Sequence, residues 1–169
     1  MAGNKYIKNN SGTLTEEASI QSSAGAGDAG KIPALDSSGK LDTSMMPTGI
    51  AADTQLVQAS ENLAAGDLVN IWNSSGAFRV RKADATTAGK EAHGFVLSAV
   101  TSGANATIYF EGSNTGVTSL TPGVQYLSTT AGIASATAPS STGNVVQRVG
   151  FATAAAVLNF QSDVPIVLA

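Results

Sequence analysis

The chain has no cysteine, a single histidine and few charges, and each scarcity removes a class of chemistry. Without cysteine there are no disulfides, no thiolate nucleophiles and no thiolate metal ligands, whatever the compartment. A lone His93 cannot build a zinc site from several imidazoles. Charged residues make up 12% of the 169 residues, about half the roughly 25% of ordinary soluble chains. Aromatics are 5%, so the 43% hydrophobic share rests on alanine, a side chain that fills little core volume. Nine Lys and Arg are scattered among twelve Asp and Glu, for a net charge of -3. That balance argues against a nucleic-acid partner, because neutralising phosphates takes clustered cations. No stretch approaches the roughly 18 apolar residues of a membrane span, and no apolar run follows the opening residues. The expectation is a soluble, non-secreted chain with no membrane partner.

What is present divides near residue 55. Eight of the nine aromatics (Trp72, Phe78, Phe95, Tyr109, Phe110, Tyr126, Phe151, Phe160) follow that point, and only Tyr6 precedes it. Residues 1–55 are rich in Asn, Ser, Gly, Thr and Ala, with the run Ser22-Ser23-Ala24-Gly25-Ala26-Gly27-Asp28-Ala29-Gly30 in the middle. Such a segment cannot offset its own ordering entropy. Ile32, Leu35, Leu41, Met45, Met46 and Ile50 stand in it singly or in pairs, separated by turn chemistry at Asp36-Ser37-Ser38-Gly39 and near Pro33 and Pro47. A stretch of this length can span roughly 180 Å at about 3.3 Å per residue. The reading is a long extended N-terminal arm whose apolar pegs dock onto something else.

From about Leu56 the pattern becomes short alternating stretches bounded by Gly or Ser/Asn turns, the signal for strands. Residues 67–72 and 78–81, joined through Asn73-Ser74-Ser75-Gly76, predict one β-hairpin. Residues 93–100 and 106–111, joined through Ser102-Gly103-Ala104-Asn105, predict a second. Further strands are expected at 124–127, 133–137, 144–151, 156–160 and 164–168, with a loop over 83–92. Strands spaced about 8–12 residues apart, with little helical periodicity, predict an all-β fold: a compact antiparallel sandwich or barrel over residues 56–169.

The motifs that tempt a chemical reading fail on context. Gly25-Ala26-Gly27-Asp28-Ala29-Gly30-Lys31 satisfies G-x-G-x-x-G and nearly matches a P-loop. A phosphate cradle needs a strand before it and a helix N-terminus after it, whereas here a polar linker precedes and Ile32-Pro33 follows. His93 has Glu91 two residues away, but no G-x-S-x-G elbow supplies a nucleophile, and His93 reads as structural. Asp67, Asp84, Glu91, Glu111 and Asp163 stand alone in separate turns or strands, so no catalytic, metal or cofactor site is assigned. Arg79, Arg81 and Lys82, with Phe78 and Trp72 nearby, read as a charged hairpin edge that discourages aggregation, or as a salt-sensitive contact with an acidic partner.

Several phrases resemble head decoration (capsid cement) proteins of tailed bacteriophages. They are Gly27-Asp28-Ala29-Gly30-Lys31-Ile32-Pro33-Ala34-Leu35-Asp36 leading to Met45-Met46-Pro47-Thr48-Gly49-Ile50; Leu63-Ala64-Ala65-Gly66-Asp67-Leu68-Val69-Asn70-Ile71-Trp72; Glu91-Ala92-His93-Gly94-Phe95-Val96; and Leu120-Thr121-Pro122-Gly123-Val124-Gln125-Tyr126-Leu127. The resemblance implies a non-enzymatic virion protein on the outer surface of the icosahedral head. It implies the major capsid protein and sister copies, as a homotrimer, for partners. On that basis Ile32, Leu35, Leu41, Met45, Met46 and Ile50 become the expected capsid contacts. Parts of tail fibres and baseplates share such phrases, but no coiled-coil heptads or long fibre repeats accompany them. A carbohydrate-binding module, with Trp72, Tyr109 and Tyr126 as exposed aromatics, is the third reading.

Overall fold

The computed structural model describes residues 5–46 and 52–169, and the chain divides into two compact units, Met1–Ala51 and Ala52–Ala169. The architecture is nearly all β, and every strand ladder among the described residues is antiparallel. The division falls slightly ahead of the composition shift, because Thr54 and Gln55 already pair with the second unit through their backbone, which leaves no apolar trace in the sequence.

The first unit opens with β1 (Lys5–Asn10) and β2 (Thr13–Ala18), paired along their whole length. Ser11 and Gly12 between them take φ of 52° and 95°, the left-handed pair that matches a tight turn to strand twist. This hairpin is unforeseen in the sequence reading because it has no buried face: Ile7 and Leu14 are both exposed. Farther on, Ile20 donates its amide to the Ile32 carbonyl at 3.1 Å and accepts from Ala34 at 2.7 Å. Two 3₁₀ turns, Ala26–Asp28 and Thr43–Met45, are tied by carboxylates: Asp28 accepts from the Ala24 amide and Asp42 from the Ser44 amide. Between them Asp36 accepts from the amides of Ser38 and Lys40, closing the Asp36-Ser37-Ser38-Gly39 turn. No described residue of this unit is buried.

In the second unit β3 (Thr54–Gln58), β4 (Leu68–Ser74), β5 (Ala77–Lys82), β6 (Gly94–Phe95) and β7 (Asn105–Tyr109) form one sheet in the order β3-β7-β6-β4-β5. Past Gln58 the chain reaches the opposite edge, where the Ser60 amide donates to the Val80 carbonyl at 2.8 Å, so the two edges of this sheet meet. A second sheet holds β8 (Gly112–Asn114), β9 (Gly123–Leu127), β10 (Ala134–Ser135), β12 (Arg148–Ala154) and β13 (Val157–Phe160), in the order β10-β9-β12-β13-β8. Between β10 and β12 lies β11 (Val145–Val146), which pairs with β14 (Ile166–Val167).

Two apolar clusters hold this unit together. One gathers Val57, Ala59, Leu63, Val69, Val80, Val96, Ala106 and Ile108 from the first sheet and its connections. The other joins Leu68 and Phe95 of the first sheet to Leu127, Val149, Leu158 and Phe160 of the second, with Ala83, Ala85, Ala92 and Ala134 filling in. Leu68 and Val69 are neighbours in sequence and go to different clusters, as period-2 alternation requires. The predicted hairpin 67–81 is present as β4 and β5. The second predicted hairpin forms only in part. After Phe95, which pairs with Tyr109, the chain leaves the sheet, because the Val96 amide donates to the Asp67 carbonyl and Val100 bridges Leu63. β7 instead pairs over five residues with β3.

Candidate assembly surfaces

The residues expected to make contacts are held outward by a polar framework. The Ile32 carbonyl is bound by Ile20 and the Leu35 carbonyl accepts from Gln21 Nε2 at 3.1 Å, yet their side chains are 50% and 57% exposed. Leu41 and Met46 are also exposed, and Met45 is half-buried at the end of its 3₁₀ turn. The Ser44 hydroxyl inside this turn accepts from the Ser23 amide at 2.8 Å, fastening the middle of the unit to its end. Ile50 lies outside the described residues. Backbone hydrogen bonds therefore fix these segments while their large side chains stay in water, which forfeits the burial that normally drives folding.

The glycine-rich motif holds a three-residue turn, and Lys31 Nζ reaches Asp28 Oδ1 at 2.9 Å, the lysine's charge answered within the loop. Asp28 in turn holds the Lys31 ammonium above its ordinary value. His93 is exposed, and its Nδ1 accepts the Ile71 amide at 3.1 Å, bracing β4 against the start of β6. Glu91 turns away from it to accept from the Gly89 amide at 2.9 Å. The remaining carboxylates are dispersed. Asp67 takes the Ala64 amide and Lys82, Asp84 takes Thr86 and Lys90, and Asp163 takes Arg148 in a forked pair. Glu111 is exposed and unpaired among the described residues. No group of three or more His, Asp or Glu among those residues is placed to hold a metal ion.

Of the three aromatics considered for sugar stacking, Tyr109 lies against Phe95 with ring centres 5.4 Å apart, which commits it to the core edge. Tyr126 is half-buried beside Arg148 on the β9–β12 ladder. Trp72 carries the Arg81 guanidinium 4.6 Å above its ring and donates Nε1–H to the Ser60 hydroxyl at 3.3 Å. Arg81 is anchored by Asn70 Oδ1 at 3.0 Å and the Gly89 carbonyl at 2.7 Å. Phe78 and Val80 lie on one face of β5, yet Val80 is buried while Phe78, near the turn, is 76% exposed.

Sequence reasoning misses three features of this surface. Ile7 and Leu14 add to the exposed apolar side chains of the first unit, and Val164, Ile166 and Val167 form an exposed apolar stretch near the end of the chain. The Asp53 carboxylate, beside β3, has no partner among the described residues, and a single acidic residue at a strand start gives no signal of that. Comparison with protein-family models, with curated proteins and with solved structures gives no match to this chain.

Proposed function

We propose that this chain is a structural protein of a tailed-bacteriophage virion that decorates and stabilises the outer surface of the head. Residues 1–55 serve as the capsid-gripping arm, and the β unit, a barrel-like sheet packed on a second sheet in the manner of a sandwich, forms the outward body, as a homotrimer. The partner is the major capsid protein, which offers shallow apolar grooves to Ile32, Leu35, Leu41, Met45, Met46 and Ile50. The observation that carries the reading is the contrast between the units. The first has no buried residue among those described yet presents Ile7, Leu14, Ile32, Leu35, Leu41 and Met46 to water, whereas the second has its own apolar clusters. A segment built this way gains its missing burial from a partner, and several tethered arms per assembly raise avidity without any one strong contact. The resemblance in sequence supplies the identity of that partner.

The test is co-sedimentation of the purified protein with mature heads stripped of it, with bound copies counted by gel densitometry. Saturation in proportion to the capsid protein is the expected result, and removal of residues 1–51 should abolish it. No binding to heads, with a handful of copies on tails instead, would refute the reading and assign the protein to a fibre or baseplate.

A further inference from the structure

A census of the chain's charges points to a contact between copies of this chain. Of the nine Lys and Arg, six sit in ion pairs: Lys5, Lys8, Lys31, Lys82, Lys90 and Arg148. Two of the remaining three, Arg79 and Arg81, lie two residues apart on β5 and therefore on one face of it, with Trp72 directly opposite Arg79 in the β4–β5 register. Arg81 is held against the indole and fixed by Asn70, which is itself buried, so one guanidinium is already oriented before any anion arrives. The Arg79 guanidinium has no hydrogen bond or ion pair among the described residues. Trp and Arg are the side chains most enriched where binding energy concentrates in protein contacts.

The same unit carries the matching charges. Asp53 and Glu111 are its two exposed carboxylates with no partner among the described residues, and they stand together where β3 begins and β7 ends. There the Phe110 amide donates to the Asp53 carbonyl at 3.0 Å, next to the Thr54–Tyr109 pair.

We propose that the Trp72–Arg79–Arg81 face receives Asp53 and Glu111 of a second copy. Opposite charges two by two set the register. A pair of copies can satisfy both halves reciprocally around a twofold axis, or each copy can pass the contact to the next around a ring. This inference rests on the charges and not on head binding, so either can fail alone.

The experiment is sedimentation velocity of the full chain over a range of concentrations at low and high salt. The natural chain is expected to associate at low salt and to weaken as salt rises. R79E alone, which removes no side-chain hydrogen bond or ion pair among the described residues, is expected to weaken association at least about tenfold, and D53K with E111K to do the same. The fourfold exchange R79E/R81E/D53K/E111K is expected to restore it, with circular dichroism confirming an unchanged fold. If the fourfold variant misfolds through loss of the Arg81 anchors, R79E and the acidic variant decide the matter. A monomer at every concentration, association indifferent to these reversals, or loss with the arginine change but not the acidic one would overturn the pairing.

Discussion

Gly150 sits inside β12 with φ of 128°, and a Cβ added there would stand 2.0 Å from the Asn159 carbonyl oxygen of β13. No side chain fits that gap unless the ladder between the two strands opens. Gly150→Ala is therefore expected to destabilise the fold by at least about 2 kcal/mol, read from urea unfolding, combining a disfavoured backbone angle with a steric clash. A glycine within the predicted strand 144–151 is visible in the sequence; the carbonyl above it belongs to a partner strand and is not. Asp84 makes a second residue-scale case. Burial opposes ionisation of its carboxyl, but the Thr86 hydroxyl and amide and the Lys90 ammonium outweigh it and hold Asp84 below the usual carboxylate range. A carboxyl depressed by folding contributes stability above its unfolded value of roughly 3.9, and loses it as pH falls through the folded value. Urea midpoints measured from about pH 6 down to pH 2 should thus drop below about pH 4, and Asp84→Asn should flatten that drop while lowering stability at neutral pH.

At the scale of elements, two phenylalanines separate burial from mere hydrophobicity. Phe160 on β13 is buried with its ring centre 5.6 Å from that of Phe95, tying the second sheet to the first. Phe160→Ala should cost about 3–5 kcal/mol in denaturant melts, the range for emptying an aromatic site in a packed core. Phe78→Ala, on the exposed end of β5, should stay within about 0.5 kcal/mol. Both residues lie in stretches that read equally well as strands, so periodicity finds the strands without ranking their faces. The β4–β5 hairpin was legible because its turn residues and alternation agree, with Ser75 and Gly76 at φ of 53° and 87°. The partner of β7 was not legible. Its best match in chain order was the preceding stretch, while its actual five-residue partner, β3, lies about fifty positions upstream. Local signals cannot report such pairing, because it is settled by which apolar residues must share one cluster.

For the whole molecule, the core of the second unit is supplied entirely from within residues 57–160, so removal of residues 1–51 should leave a cooperative unfolding transition near that of the full chain, measured by scanning calorimetry. Broad loss of that transition would mean the first unit contributes to the fold beyond its own hydrogen bonds. By itself the sequence determined the all-β character and the β4–β5 hairpin, since these follow from turn residues and period, all properties of neighbouring positions. Only the tertiary structure decided that β3 closes toward β5, that alanines and aromatics share one cluster between two sheets, and that the side chains of Arg79, Asp53 and Glu111 are left without partners among the described residues. Whether a charge is answered or a face covered depends on residues far apart in the chain, which meet only when the sheets close over their cores.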